Sequence, residues 1–478
     1  MPASPPRSFA RLSPLVAALA TGFLLRFVVG LHPVWWLAWL APVPLLLLAI
    51  RSGGREAYWL VFLATLVGIS VNFHYRLSVF PLPIAIIATV KQALIWTLIV
   101  LQVRRLTRRY QAAWTVLVYP VLWVAVDTLA VALQDSGNET SLAYSQVECL
   151  PVLQVTALGG VGGLLFLVTL VPSTLALALA YSRTWRRAWP AYAGTTLLLA
   201  AAVAYGLVRL QTPATGRTTA LGLVAIDDAI GPEASASYMK SIWDEYDRHI
   251  AALRAQGAEI IVLPEKIGRV TSATAALWQL HLGGLAAQHH VWLAAGVGIA
   301  ERGAWVNRAW LFTPAGALAA TYDKQHLAPG EHDYVPGDKL AVQSIDGQVY
   351  GLAICKDMFF AALGRAYASQ AVAVMLVPAW NPGPEDARVE GWNTLTRGVE
   401  NGYAVVRVAR EGFMTVSDAY GRILAEKESR PLPGSSLLAR LQVTARVPTL
   451  YSRTGDRFGW LCVAVSVVLL AIGRRQPG

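Results

Sequence analysis

The chain has 478 residues, 55% of them hydrophobic and 14% charged, with a formal net charge of +11. Soluble globular proteins carry roughly 25% charged residues, so an ordinary water-soluble enzyme is excluded, and 17 Trp, 17 Tyr and 12 Phe exclude a disordered chain. Three cysteines, Cys149, Cys355 and Cys462, are too few and too scattered for a disulfide framework or a zinc ribbon.

The charge is unevenly placed. Residues 1–212 hold 15 Lys/Arg against 5 Asp/Glu, whereas residues 213–478 hold 25 against 24. The excess therefore lies in short loops between apolar runs, which is a membrane pattern and not a nucleic-acid-binding face. Seven apolar stretches, at about 12–30, 33–50, 57–73, 81–103, 112–133, 157–181 and 189–210, precede an eighth at about 458–473. Each approaches the ~20 residues that span a bilayer. The first has no small-residue cleavage site after it and reads as a retained span, not a signal peptide.

One set of alternate loops carries Arg7, Arg11, Arg51, Arg55, Arg104, Arg105, Arg108, Arg109, Arg183, Arg186, Arg187, Arg474 and Arg475, while the opposite short loops carry only Arg76. The positive-inside rule then expects both termini in the cytoplasm and residues 213–457 outside it. Within the spans, Arg26, Lys91 and Asp127 are expected to pair or to snorkel. Gly159 and Gly163 suggest close helix packing, and Trp35, Trp36 and Trp39 suggest interfacial anchors.

From Thr219 onward the texture changes to short β-rich runs alternating with amphipathic stretches. Strands are expected at 220–226, 259–265, 291–299, 348–355, 371–380 and 404–411, with a hairpin across the Pro-Ala-Gly at 314–316. Helices are expected at about 238–254, 273–289, 361–368 and 388–400. Such alternation makes a layered α/β sandwich.

Three reactive side chains close strands in this reading: Glu265 ends IIVLPE, Lys324 ends TYDK and Cys355 ends YGLAIC just before a helix. A helix N-terminus favours thiolate, a carboxylate in reach can take the thiol proton, and a lysine can hold an oxyanion. The histidines, including His289, His290, His326 and His332, show no metal-ligand spacing, and no nucleotide loop is present, so neither metal nor cofactor is expected.

VLPE at 262–265, YDKQHLAPGEHDYVPG at 322–337 and GLAICKD at 351–357 resemble the carbon–nitrogen hydrolase (nitrilase) superfamily. The KxHLxP element followed by GE and YVP, downstream of seven spans and before one more, resembles the bacterial apolipoprotein N-acyltransferase family. The resemblance implies a bundle of eight transmembrane helices carrying an extracytoplasmic αββα nitrilase-like sandwich in the bacterial inner membrane. Its domains would be 1–212, 213–457 and 458–478.

The resemblance also implies Glu265 as general base, Lys324 as oxyanion stabiliser, Cys355 as nucleophile and Glu331 as the additional glutamate. A phospholipid would donate the acyl chain and a diacylglyceryl lipoprotein would accept it. This chain departs from the family pattern at Lys356 and Asp357, at His332 and Asp333, and at Pro378-Ala379-Trp380-Asn381, so Lys356, Asp357 and Trp380 are expected to shape or support the pocket. A charge on Lys356 would lower the thiol pKa if its side chain faced the sulfur. The competing readings are a membrane-anchored amidase in which water resolves the thioester, an acyltransferase with another amine acceptor, and a scaffold on a decayed hydrolase fold.

Overall fold

Apolar sequence in the first 212 residues folds as helices, and the β-rich sequence after it folds as two sheets, in a computed structural model that describes residues 7–134, 137, 141–181, 185–212, 216–301, 303–381, 383 and 386–474. Two compact units result. One comprises Met1–Leu133, Thr140–Val208 and Asp456–Gly478, the other Gln134–Glu139 and Arg209–Gly455. Arg183, Arg475 and the 213–215 junction lie outside the described residues.

All eight expected apolar stretches are helical in the helical unit. Among the described residues five helices are long and apolar enough to cross a membrane: Gly54–Val79, Leu82–Tyr110, Ala113–Leu133, Thr156–Ala180 and Trp189–Leu210. Pro14–Val29, Trp35–Arg51 and Arg457–Gly473 are shorter. The second stretch is a 3-10 turn at Trp35–Trp39 followed by a helix at Pro42–Arg51, because Pro42 lacks an N–H and starts a new helix more readily than it continues one.

One expectation changes here. Gly159 and Gly163 do not mediate helix packing. A Cβ at Gly159 would meet nothing within 4 Å, and Gly160 beside it kinks the helix at φ +64°. Close packing falls instead to Gly22 and Gly68, where an added Cβ would lie 2.8 Å from Val67 Cβ and from Leu25 Cβ respectively. Trp39 donates its indole N–H to Gln146 Oε1 at 2.8 Å. Arg26 pairs as expected, donating to Ser70 Oγ at 3.1 Å.

In the α/β unit the strands, in chain order, are β1 Arg217–Ala225, β2 Ile260–Val262, β3 Arg269–Thr271, β4 Trp292–Glu301, β5 Ala304–Phe312, β6 Leu318–Asp323, β7 Ala341–Ile345, β8 Gln348–Leu352, β9 Val374–Trp380, β10 Ala404–Arg410, β11 Phe413–Ser417, β12 Ile423–Glu428 and β13 Ser435–Val443. One sheet has the order β13-β1-β2-β4-β5-β6, with β3 added along β4; the other runs β12-β11-β10-β9-β8-β7.

Alternating side chains of β1 explain the layering. Leu221, Leu223 and Ala225 face the second sheet, packing in one core with Leu352, Val374 and Leu376, while Val224 faces Ile242, Tyr246 and Ile250 of the helix Ala236–Ala255. That helix and Ser272–His289 cover the first sheet; Ala361–Ser369 and Ala387–Asn401 pack on the second. The result is the four-layer αββα order. β9 and β10 pair in parallel in the sheet interior and are almost wholly buried, which is why they read as near-continuous apolar runs.

Candidate active site

Each reactive residue sits where a strand has just ended. β2 stops at Val262, earlier than the expected strand through Glu265. After Pro264 the chain crosses toward the second sheet, and the Glu265 N–H donates to the Ala379 carbonyl on β9 at 3.2 Å. Gly296 of β4 permits this crossing, since a Cβ there would lie 2.7 Å from Glu265 Cα. Lys324 follows β6 directly, and its backbone N–H donates to the Asn307 carbonyl at 2.9 Å.

The side chains converge in a buried network. Lys324 Nζ lies 2.9 Å from Glu265 Oε1 and 3.0 Å from Glu331 Oε2. Asn307 on β5 bridges the same two carboxylates, its Nδ2 donating at 2.6 Å to Oε1 of each. The Ala328 N–H donates to Glu331 Oε2 at 2.7 Å, and Lys266 forms an ion pair with Glu331. Lys266 Nζ also lies 4.4 Å from the centre of the Tyr334 ring and 5.4 Å from that of Trp380.

Cys355 opens a five-residue 3-10 turn, Cys355–Phe359, and adopts φ +46°. A left-handed conformation costs a non-glycine residue about 1–2 kcal/mol, so the turn holds Cys355 in a strained, fixed orientation. Sγ lies 3.4 Å from the Trp380 carbonyl oxygen and 3.7 Å from Glu390 Oε2. That same Glu390 oxygen accepts from Asn381 Nδ2 at 2.6 Å and from Arg407 Nη2 at 3.0 Å.

Three carboxylates, Glu265, Glu331 and Glu390, thus share the pocket with three cations, Lys266, Lys324 and Arg407, and none of the six is more than 7% exposed. The balance governs protonation. Burial opposes the Lys324 charge, but Glu265, Cys355 and Glu331 hold it well above its ordinary pKa. Burial also opposes the Glu331 charge, yet Lys324 and Lys266 bring its pKa down to about 2. Burial, Glu390 and Glu265 push the Cys355 thiol well above its ordinary range, outweighing Lys324 and Arg407.

That corrects the expectation that a helix end favours thiolate: no α-helix starts at Cys355, and a thiolate would add a seventh charge to a balanced set. Glu265 Oε2 is buried without a hydrogen-bond partner among the described residues.

Lys356 and Asp357 do different work from what a charge beside the nucleophile suggests. Lys356 Nζ donates to the Leu327 carbonyl at 2.8 Å, and the largest charges acting on the thiol are those of Glu390, Glu265, Lys324 and Arg407. Asp357 accepts from Tyr322 Oη at 2.8 Å and from the backbone N–H groups of Gln325, His326 and Ile354 at 3.2, 2.9 and 3.1 Å. It therefore ties the segment after Lys324 to the segment before Cys355. Lys356→Met is expected to leave the pH profile of Cys355 alkylation unchanged; a profile displaced to higher pH would give the charge role back to Lys356.

Sequence reasoning missed Lys266, Asn307, Asn381, Glu390 and Arg407. Only Arg407 had a visible signal, an arginine in the middle of the apolar strand AVVRVAR.

Comparison with known proteins adds to this geometry. The apolipoprotein N-acyltransferase N-terminal domain family model matches residues 21–174, and the carbon-nitrogen hydrolase model matches residues 234–444. The apolipoprotein N-acyltransferase of Geobacter metallireducens is 27% identical, over 96% of this chain and 95% of its own length. That of Gloeobacter violaceus is 26% identical over 93% and 92%.

The chain belongs to the apolipoprotein N-acyltransferase family. Its α/β unit has the carbon–nitrogen hydrolase fold, and the helices matched by the N-terminal family model are those of the helical unit. Among solved structures, an amidase from Nesterenkonia is 22% identical with a TM-score of 0.43, covering 52% of this chain and 97% of its own. In this acyltransferase family member Lys324 joins Glu265 to Glu331, the charges of Glu265 and Lys324 act on the Cys355 thiol, the Trp380 carbonyl meets the sulfur, and Asp357 fastens the two segments that carry Lys324 and Cys355.

Proposed function

We propose that the protein takes an acyl chain from a phospholipid onto Cys355 as a thioester and passes it to the α-amine of a diacylglyceryl-cysteine on a lipoprotein. The observation that carries this reading is the buried thiol set among Glu265, Lys324 and Glu331 in a chain whose apolar helices match the acyltransferase N-terminal domain.

In the first half-reaction the Cys355 sulfur attacks the ester carbonyl carbon while its proton passes to Glu265 Oε2. Thiolate character and a protonated Glu265 appear together, so the pocket's net charge does not change. An ammonium has three N–H donors; two of those on Lys324 point at Glu265 and Glu331, and the third is available to the oxyanion. Collapse breaks the ester C–O bond, and Glu265 returns the proton to the departing lysophospholipid oxygen. In the second half-reaction the amine attacks the thioester, an N–H proton passes through Glu265 to the sulfur, and the amide leaves.

The loop asymmetry supports eight spans with cytoplasmic termini in the bacterial inner membrane, residues 213–457 as the extracytoplasmic catalytic domain, and 458–478 as the last span and tail. Cysteine-labelling reagents that do not cross membranes should reach positions in the 322–337 loop from outside; labelling only from the cytoplasmic side would overturn the orientation.

The reaction is tested by incubating detergent-solubilised protein with phosphatidylethanolamine and measuring intact mass. One acyl chain on Cys355, discharged by a diacylglyceryl-cysteinyl peptide, is the expected result. Release of free fatty acid without peptide acylation would favour the hydrolase.

A further inference from the structure

Glu390 is the carboxylate in contact with the sulfur, and the thioester chemistry proposed above has no use for it as a base. Its Oε2 receives strong donors from Asn381 and Arg407, at 2.6 and 3.0 Å, and the weaker S–H of Cys355 at 3.7 Å. Asn381 and Arg407 are themselves joined, Nη2 to Oδ1 at 3.1 Å, and both are buried, so the carboxylate is fixed in place with Oε2 toward the sulfur. Acylation changes one thing at this oxygen. The S–H donor disappears when the S–C bond forms, which opens a hydrogen-bond position on Glu390 directly beside the thioester.

We infer that Glu390 binds the amine of the acceptor at that opened position, placing its nitrogen beside the thioester carbonyl carbon during the second half-reaction. An incoming ammonium supplies the charge-assisted N–H donor that replaces the thiol. It loses one proton to Glu265, which releases it to solvent. The resulting amine attacks, the N–C bond forms and the C–S bond breaks. The remaining excess proton on nitrogen passes through Glu265 to the sulfur, and the regenerated S–H returns to Glu390 and displaces the amide. The carboxylate thus favours amine in the acyl-enzyme and thiol in the free enzyme, which orders the two substrates without any movement of the backbone. The inference rests on the acyl-transfer reading, because only a thioester removes the S–H donor.

The test separates the half-reactions in the full-length protein. Wild type, Glu390→Gln and Glu390→Asp are loaded with phosphatidylethanolamine. The acyl-Cys355 species is then discharged with a diacylglyceryl-cysteinyl peptide or with hydroxylamine, which is small enough to reach the carbonyl carbon without being positioned. Loss of a hydrogen bond to a charged group is expected to lower the peptide-to-hydroxylamine rate ratio about tenfold or more in Glu390→Gln. Glu390→Asp, which keeps the charge, should recover part of it.

A parallel fall in acylation and in both discharges would assign Glu390 a purely structural role and overturn the inference, as would an unchanged ratio. An absence of adduct on wild-type Cys355 would overturn the acyl-transfer reading itself, and this inference with it.

Discussion

Cys355→Ala is expected to abolish the acyl adduct and all transfer to the peptide, a loss on the order of 10⁶-fold if the thiol is the only nucleophile. Cys149 and Cys462 belong to the helical unit, so the α/β unit holds no second thiol to take over. The substitution removes one sulfur from a buried position and breaks only the weak contacts to the Trp380 carbonyl and Glu390. Alanine must still adopt the φ +46° that cysteine adopts, so the strain of the turn is retained and not relieved. The thermal midpoint should therefore move little while activity vanishes, which separates loss of chemistry from loss of fold. Intact-mass spectrometry is the deciding measurement, and an acyl adduct on the Cys355→Ala protein would mean that the nucleophile lies elsewhere.

Lys324→Met is expected to lower the rate of acyl-enzyme formation by about 10²–10³ through loss of the oxyanion donor, and to destabilise the α/β unit as well. Lys324 is the cation shared by Glu265 and Glu331, at 2.9 and 3.0 Å, and all three side chains are at most 3% exposed. Removing one partner from a buried ion pair typically costs about 3–5 kcal/mol. Lys266 remains to compensate Glu331, but Glu265 keeps only the neutral Asn307.

The thiol is affected in the same substitution. Lys324 is one of the two cations opposing the rise of its pKa, so alkylation of Cys355 should require still higher pH in Lys324→Met than in wild type. The combination of slower acylation, lower thermal midpoint and upward-shifted alkylation follows from one missing charge. Wild-type acylation in this variant would remove Lys324 from the mechanism.

The residues proposed for the chemistry were legible because each lies in a short contiguous motif. VLPE, TYDK and GLAIC each place an unusual polar side chain directly after an apolar run, and a strand that ends at a site leaves just such a pattern. Their environment was not legible. The helix expected to favour thiolate begins six residues after Cys355, at Ala361, behind a 3-10 turn that no periodicity announces. Lys356, adjacent to the nucleophile in sequence, turns to the Leu327 carbonyl, while Glu390 and Arg407, 35 and 52 positions away, set the charge around the sulfur.

Composition and periodicity alone determined that this chain combines an apolar helical part with an α/β part, because hydropathy and alternation are local consequences of which faces are buried. The three side chains of the proposed chemistry were marked by the motifs VLPE, TYDK and GLAIC and by the family resemblance that those motifs carry. Tertiary structure decided what those side chains can do. The parallel pairing of β9 with β10 brings Arg407 level with Val377, near the end of the strand whose last carbonyl meets the sulfur. The return of β13 to the edge beside β1 likewise joins residues more than two hundred positions apart. Such pairings are made by backbone hydrogen bonds between remote segments, whose register no local pattern encodes. The protonation of a buried thiol depends on the sum of charges those segments bring to it, and that sum exists only in the folded chain.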